Sequence, residues 1–442
     1  MSLGALWVRT AWLGELHADV RIVMSEGRIT EIQTGVGPQV DDVVRNGFAI
    51  PGLVNAHSHA FHRMLRGRSY DGIGSFWSWQ REMYRLAECL TPQNYERVAT
   101  AVFTEMVLAG ITTVGEFHYI HHDADGTPYA DRNAMGEALM TAAAASGIRL
   151  TLIDVCYLRG WFDRPVSGVQ RRFSDGSVGA WRDRIAGLQA SATVRHGVAI
   201  HSVRAVAEHD ITSVASFARS RAMPLHAHVS EQPRENAACI EHTGLTPTAL
   251  LARAGAIGNL FTAVHATHLE TDDLATLGAG GVTACMCPTT ERDLGDGIGP
   301  STELIAAGVA IAVGSDSHAT IDILEEMRLV ELHERLVTNR RGSHSTADLL
   351  RMGTENGARS LGWPDTGRIE VGALADITVV SMESVRTTGD PNNVASRAVF
   401  SATAADVTDT IVGGEAVVLG GNHVRHGDGV ALAREAQALV AE

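Results

Sequence analysis

Apolar and polar residues along the chain fall into two textures. The first fifty residues, in LWVRTAWL and ADVRIVMSEGRITEIQTG, alternate apolar with polar positions and break at Glu26-Gly27 and at Gly35, the pattern of short strands joined by turns. The C-terminal runs ADITVVSM and AVFSATAADVTDTIVGGEAVV repeat it. Between them, short apolar runs alternate with longer Ala/Leu/Arg/Glu-rich segments such as NYERVATAVFTEMVLAG and DITSVASFARSRA, whose apolar residues recur at helical spacing and are often followed by glycine. The runs FAIPGLVNAH, ITTVGEFHY, RLTLIDVCY, GVAIHSV, PLHAHV, FTAVHATH, VTACMC and VAIAVGSDS make eight strand candidates between about residue 48 and residue 317. Strand alternating with helix predicts a parallel sheet, and eight repeats predict an α/β fold closed as a (β/α)8 TIM barrel. The alternative is an open doubly wound sheet. The two β-rich ends are expected to pair into a small β-sandwich domain, which divides the chain into 1–50 and 369–442 for the small domain and 51–368 for the barrel. Segment 159–179 reads as a long loop, and 67–85 and 291–300 are candidates to close over a ligand.

Composition narrows the chemistry. The net charge of −15 argues against nucleic-acid binding, which calls for a basic face. No apolar stretch reaches the roughly 20 residues needed to span a bilayer, and the N-terminus lacks a basic region followed by an apolar run, so the expected location is the cytoplasm. Five scattered cysteines, Cys89, Cys156, Cys239, Cys285 and Cys287, suit a reducing compartment. The chain contains no lysine. Schiff-base chemistry, a P-loop lysine and a carboxylated lysine bridging two metals are therefore excluded.

In a barrel, function gathers where strands end. The first candidate strand ends in Asn55-Ala56-His57-Ser58-His59, and residues i and i+2 of a strand point the same way, so His57 and His59 converge. Strand five ends in His226-Ala227-His228, strand six in His265 and strand eight in Ser315-Asp316. A lone histidine on an apolar strand is more often a packed core residue, and an isolated HxH is weak for the same reason. The joint set, all at C-terminal strand ends, points to one divalent ion, zinc by default, held by His57, His59, His228 and Asp316. His226 competes with His228; Glu231, three residues beyond His228, favours the latter because a carboxylate there can move protons.

With these residues in place the chain resembles the amidohydrolase superfamily. The matching elements are the HSH near the start, His228 to Glu231, His265, and Asp316 within GSDSH; GALADITVV is similar to that superfamily's return into its small β domain. Without a strand-four lysine the resemblance is to the one-metal branch, rich in deaminases. Within it the chain most resembles the N-formimino-L-glutamate deiminases of histidine degradation, through NAHSHAFHR (55–63), SFWSWQREMYR (75–85), GEFHYIHHD (115–123), HSVRAV (201–206), HVSEQPREN (228–236), VHATH (264–268), ERDLGDGI (291–298) and GSDSHATIDILEEMR (314–328). The resemblance implies hydrolysis of a linear amidine to N-formyl-L-glutamate and ammonia. Glu231, His265 and Asp316 would carry protons, and Arg204, Tyr119 and His201 would bind a substrate bearing carboxylates; it also implies a homodimer. Two positions depart from the family, which commonly has Gln at His62 and Arg at Gln80. The adjacent Arg81, or a charged His62, is expected to take over the carboxylate. The alternatives are another formimino amino acid, a purine such as guanine, and a non-catalytic barrel. The ordinary readings of the remaining features are packing or lid residues for Trp77, Trp79 and Tyr84, a solvated loop for His118, His121 and His122, packing for Cys285 and Cys287, and helix-dipole complementation for Glu325 and Glu326.

Overall fold

The structure, a computed structural model, describes residues 2–68 and 76–440. Residues 69–75 of the candidate closing segment 67–85 lie outside them. Eight strands, Leu53–Ser58, Ile111–His118, Arg149–Cys156, Val194–Ile200, Leu225–Val229, Phe261–His265, Thr283–Met286 and Ala310–Val313, form one parallel sheet in chain order. Six of them are buried at every position, as strands are when helices cover one face and packed side chains fill the other. The sheet closes beyond its last strand: the Asp316 N–H donates to the His57 carbonyl at 3.0 Å and the His59 N–H donates to the Asp316 carbonyl at 3.1 Å. A Cβ on Gly314 would stand 2.8 Å from both the backbone N and O of His57, so this approach requires glycine. The glycines read as helix stops behave as such: Gly147, Gly244 and Gly295 follow Ala134–Ser146, Pro233–Thr243 and Pro288–Leu294 with φ of 74°, 73° and 71°, the left-handed geometry of a C-cap.

The chain ends build a second, eight-stranded mixed sheet. Ala5–Trp12 pairs parallel with Val43–Pro51, which pairs antiparallel with Ile377–Val380. Leu6, Val8, Val20, Ile22, Ile377 and Ile411 pack into its own apolar core. A buried ion pair, Arg149 with Asp376 at 3.0 Å, ties it to the third barrel strand. Among the described residues no helix is long and apolar enough to cross a membrane.

Segment 159–179, read as a loop, carries the antiparallel pair Arg159–Trp161 and Arg164–Pro165 and the 3-10 helix Gly168–Phe173, and four other segments also differ from expectation. FAIPGLVNAH divides, its first half ending a small-sheet strand at Pro51 and its second half opening the barrel at Leu53. Phe76–Cys89 is helical rather than a closing loop. Val394–Ser401, read as β-rich, is a helix with Val394, Ala398 and Val399 buried; the spacing of the buried positions outweighs the β-propensity of Val and Phe. Val430–Leu439 is also a helix, and its Ala436 joins the barrel's core rather than the small sheet's.

Candidate active site

The four expected ligands meet at the C-terminal mouth of the barrel. His57 Nε2 lies 3.2 Å from His59 Nε2 and 3.3 Å from His228 Nε2, and Asp316 Oδ1 lies 3.3 Å from both His57 Nε2 and His59 Nε2. These four separations match the roughly 3.3 Å between ligand atoms that share an ion at about 2.0–2.1 Å, so the residues would be able to hold one. The protonation pattern points the same way. His59 Nδ1 donates to the Phe117 carbonyl at 3.1 Å and His228 Nδ1 to the His201 carbonyl at 2.9 Å. A carbonyl only accepts, so each ring keeps a proton on Nδ1 and turns its Nε2 toward the cluster, the orientation a metal-binding imidazole takes. Burial holds His57 neutral, at a pKa of about 3. Burial alone would raise the Asp316 carboxyl, but the His57 and His59 contacts outweigh it and keep it ionised. Lone pairs and a carboxylate facing each other out of water fit a cation. His226, two residues before His228, gives its Nε2 to the Ser360 carbonyl at 3.1 Å instead.

Backbone strain is concentrated here. Ser230, His265, Ala266, Asp316 and His318, all at strand ends around the cluster, have φ of 52°, 68°, 53°, 43° and 58°, a region non-glycine residues rarely enter and one that tends to mark functional sites. A polar network backs the cluster. Asn55 and Ser315 exchange hydrogen bonds across the barrel seam at 2.7 and 2.9 Å, and Ser58 donates to Glu116 at 2.5 Å. Burial pushes the Glu116 carboxyl up to about 7.

His265 stands between three carboxylates. Its Nε2 is 3.6 Å from Glu231 and 3.9 Å from Asp316 Oδ2, and its Nδ1 is 3.3 Å from Glu291 Oε1. Burial alone would lower its pKa, but Glu231, Glu291 and Asp316 raise it well above the usual histidine value. Glu231 is raised, chiefly by burial, so its proton is held more tightly than a surface carboxyl's. Glu291 went unassigned from the sequence. It also accepts from the Cys287 N–H at 2.8 Å, and its only signal is the motif ERDLGDGI.

One pocket brings His59, His228 and Asp316 of the cluster together with Glu231, His265, Arg204, His201, Tyr119, His62 and Gln80, and Trp79, Met83, Tyr84, Tyr157 and Phe173 also line it, while His57 lies fully buried behind it. Arg204 is buried and paired through NH1 with Glu235. Neither expected substitute for a second cation serves. Arg81 is exposed and does not line the pocket, because neighbouring helix positions face different ways and Gln80 takes the inward one. His62 is buried beside Tyr119, its Nε2 2.9 Å from the hydroxyl, and burial first and His59 next hold it well below the usual histidine pKa. It is neutral.

His118, His121 and His122 form no solvated loop; all three are buried. They surround an ionic core in which Arg184 bonds Asp154 at 2.8 Å and Asp175 at 3.0 Å, and His122 lies 3.2 Å from Asp175. Cys285 and Cys287 pack with Ala56, Val264 and Ala312 inside the barrel. Glu325 pairs with Arg292 at 3.1 Å in the first turn of Ile323–Thr338, whereas Glu326 is buried and accepts from the Thr289 hydroxyl and N–H.

Comparison with known proteins agrees with this geometry. Residues 48–417 match the amidohydrolase family. The chain is 35% identical over 439 residues to the formimidoylglutamate deiminase of Pseudomonas aeruginosa, covering 95% of this chain and 96% of that one. It is 27% identical over 429 residues to the 5-methylthioadenosine/S-adenosylhomocysteine deaminase of Natronomonas pharaonis, covering 96% and 94%. Among solved structures, an amidohydrolase from Brucella melitensis superposes with a TM-score of 0.90 at 32% identity, covering 99% of this chain and 100% of that one. A zinc-bound adenosine deaminase from Xanthomonas campestris superposes at 0.84 with 23% identity, over 98% and 97%. The barrel with its paired chain ends, the histidine–aspartate cluster at the barrel mouth and these matches together place the chain in the amidohydrolase family, the hydrolases of C–N bonds.

Proposed function

We propose that this chain is a one-metal deiminase that hydrolyses the formimino group of an N-formimino amino acid, with N-formimino-L-glutamate as the reference substrate. The observation that carries the reading is a single pocket lined by His59, His228 and Asp316, with His57 packed directly behind them, together with the buried carboxyl of Glu231 and the guanidinium of Arg204. The 35% identity to a formimidoylglutamate deiminase supports it.

His57, His59, His228 and Asp316 would hold the ion, zinc being the natural choice for this donor set. When bound, such an ion supplies Lewis acidity and lowers the pKa of a water toward neutrality. Arg204 grips a substrate carboxylate by charge-assisted hydrogen bonds, with His201 and Tyr119 lining the same wall. Glu231 and the pair of His265 Nε2 and Asp316 Oδ2 face the same space and handle protons there. Asp316, kept ionised, takes the proton of the attacking water, and His265, which its carboxylate neighbours keep inclined to hold a proton, orients that water through Nε2–H. Glu231, which burial keeps inclined to hold a proton, delivers one to the terminal nitrogen. The oxygen of water becomes the formyl oxygen, the bond from carbon to the terminal nitrogen breaks, and ammonia leaves with the transferred protons. Glu291 fixes the His265 ring from behind.

A second reading, a deaminase of a purine-like ring, is favoured by the aromatic wall of Trp79, Tyr84, Tyr157 and Phe173 and by the 27% relative. The test is ammonia release by purified, metal-analysed protein from N-formimino-L-glutamate, N-formimino-L-aspartate, guanine and a 5′-substituted adenosine. Turnover of a formimino compound alone supports the first reading. Turnover of a ring substrate alone replaces it with the second.

A further inference from the structure

The inner pocket adjoins an outer cavity, and the two share Gln80, Tyr84, Tyr157 and Arg204. Among the described residues Arg204 is the one guanidinium that lines either, and the chain has no lysine. One edge of that guanidinium is already taken by Glu235. The rest of the shared wall is neutral. Gln170 Nε2 donates to the Tyr84 hydroxyl at 3.2 Å and to the Tyr157 hydroxyl at 3.1 Å, and Gln80 adds an amide. The outer cavity carries a carboxylate of its own, Glu88. Arg81 is exposed. Arg234 stacks on Trp77 and Trp161, with 4.6 and 5.5 Å to the ring centres, and lines neither cavity.

We infer that the site grips one substrate carboxylate and not two, so that N-formimino amino acids with a single carboxylate are substrates alongside the glutamate derivative. This rests on the deiminase reading above. A second carboxylate placed along this wall meets no cation to offset its lost hydration, whereas an amide of the same shape finds equivalent hydrogen bonds among Gln80, Tyr84 and Tyr157. The carboxylate against Arg204 is different, because its replacement leaves a buried guanidinium edge unpaired.

The experiment compares kcat/KM of metal-loaded protein for N-formimino-L-glutamate, its α-amide, its γ-amide and N-formiminoglycine. One monoamide should stay within about fivefold of the parent while the other falls about 100-fold, the scale of a lost hydrogen bond to a charge. In Arg204→Gln the parent and the tolerated amide should fall together. If both amides fall about 100-fold, the site grips two carboxylates and the inference is wrong, while the deiminase reading stands. If both stay within about fivefold, Arg204 grips neither carboxylate and the inference is equally wrong. If no formimino compound is turned over by protein carrying metal, the deiminase reading fails and takes the inference with it.

Discussion

The backbone of Asp316 bonds the carbonyl of His57 at 3.0 Å while its carboxylate stands 3.3 Å from the Nε2 of the same residue. One residue pair thus closes the barrel and joins the histidine–aspartate cluster, through different atoms. The substitution Asp316→Asn keeps the backbone seam and removes the charge. It is expected to leave the far-UV spectrum unchanged while metal content falls and activity drops at least about 100-fold. Elemental analysis beside the rate decides; a variant with full metal and full rate would take Asp316 out of the cluster.

Glu231 sits near the cluster without belonging to it, 3.6 Å from His265. Glu231→Gln should keep its metal and lose about 10²- to 10⁴-fold in kcat, the range of a general acid–base group. Single-turnover rates on metal-loaded variant are the measurement, and an unchanged rate excludes Glu231 from proton transfer.

Arg184 is the cation at the centre of the buried histidine and aspartate cluster, pairing with Asp154 and Asp175. Replacing it by Met strands two buried carboxylates and should cost about 3–5 kcal/mol of unfolding free energy. The urea midpoint reads this directly. A change below about 1 kcal/mol would mean that water reaches the aspartates.

Acid should unfold the protein partly through His226. Burial holds this imidazole at a pKa of about 4 despite its bond to Ser360, whereas an unfolded histidine titrates near 6.5. Between those values the unfolded state takes up a proton that the folded state refuses. The stabilising contribution is therefore complete above about pH 6.5 and is lost as pH falls toward 4, on the order of 3 kcal/mol in all. Chemical denaturation of the wild type and His226→Asn at pH 7, 5.5 and 4.5 should give a shallower acid limb for the variant. Parallel limbs would remove His226 as a cause.

The sequence by itself determined the barrel, the paired chain ends as a separate sheet, and the convergence of His57, His59, His228, Asp316 and Glu231 at one barrel mouth. These are local signals: alternation and helical spacing set the elements, and strand ends in a parallel barrel share one mouth, so residues there converge wherever they lie in the chain. Only the tertiary structure decided what depends on facing. His226 and His228 share a strand, yet Ser360, 134 residues away, claims the first. Gln80 and Arg81 are neighbours, yet the helix turn between them leaves the cation outside the pocket. Burial makes His62 neutral and turns His118, His121 and His122 from an apparent surface loop into part of an ionic core. Glu235, Glu291 and Arg184 act through partners 31, 26 and 30 residues distant, and no spacing rule announces such contacts. What a side chain can do is written in its type, but whether it is charged, and what it faces, follow from the packing around it.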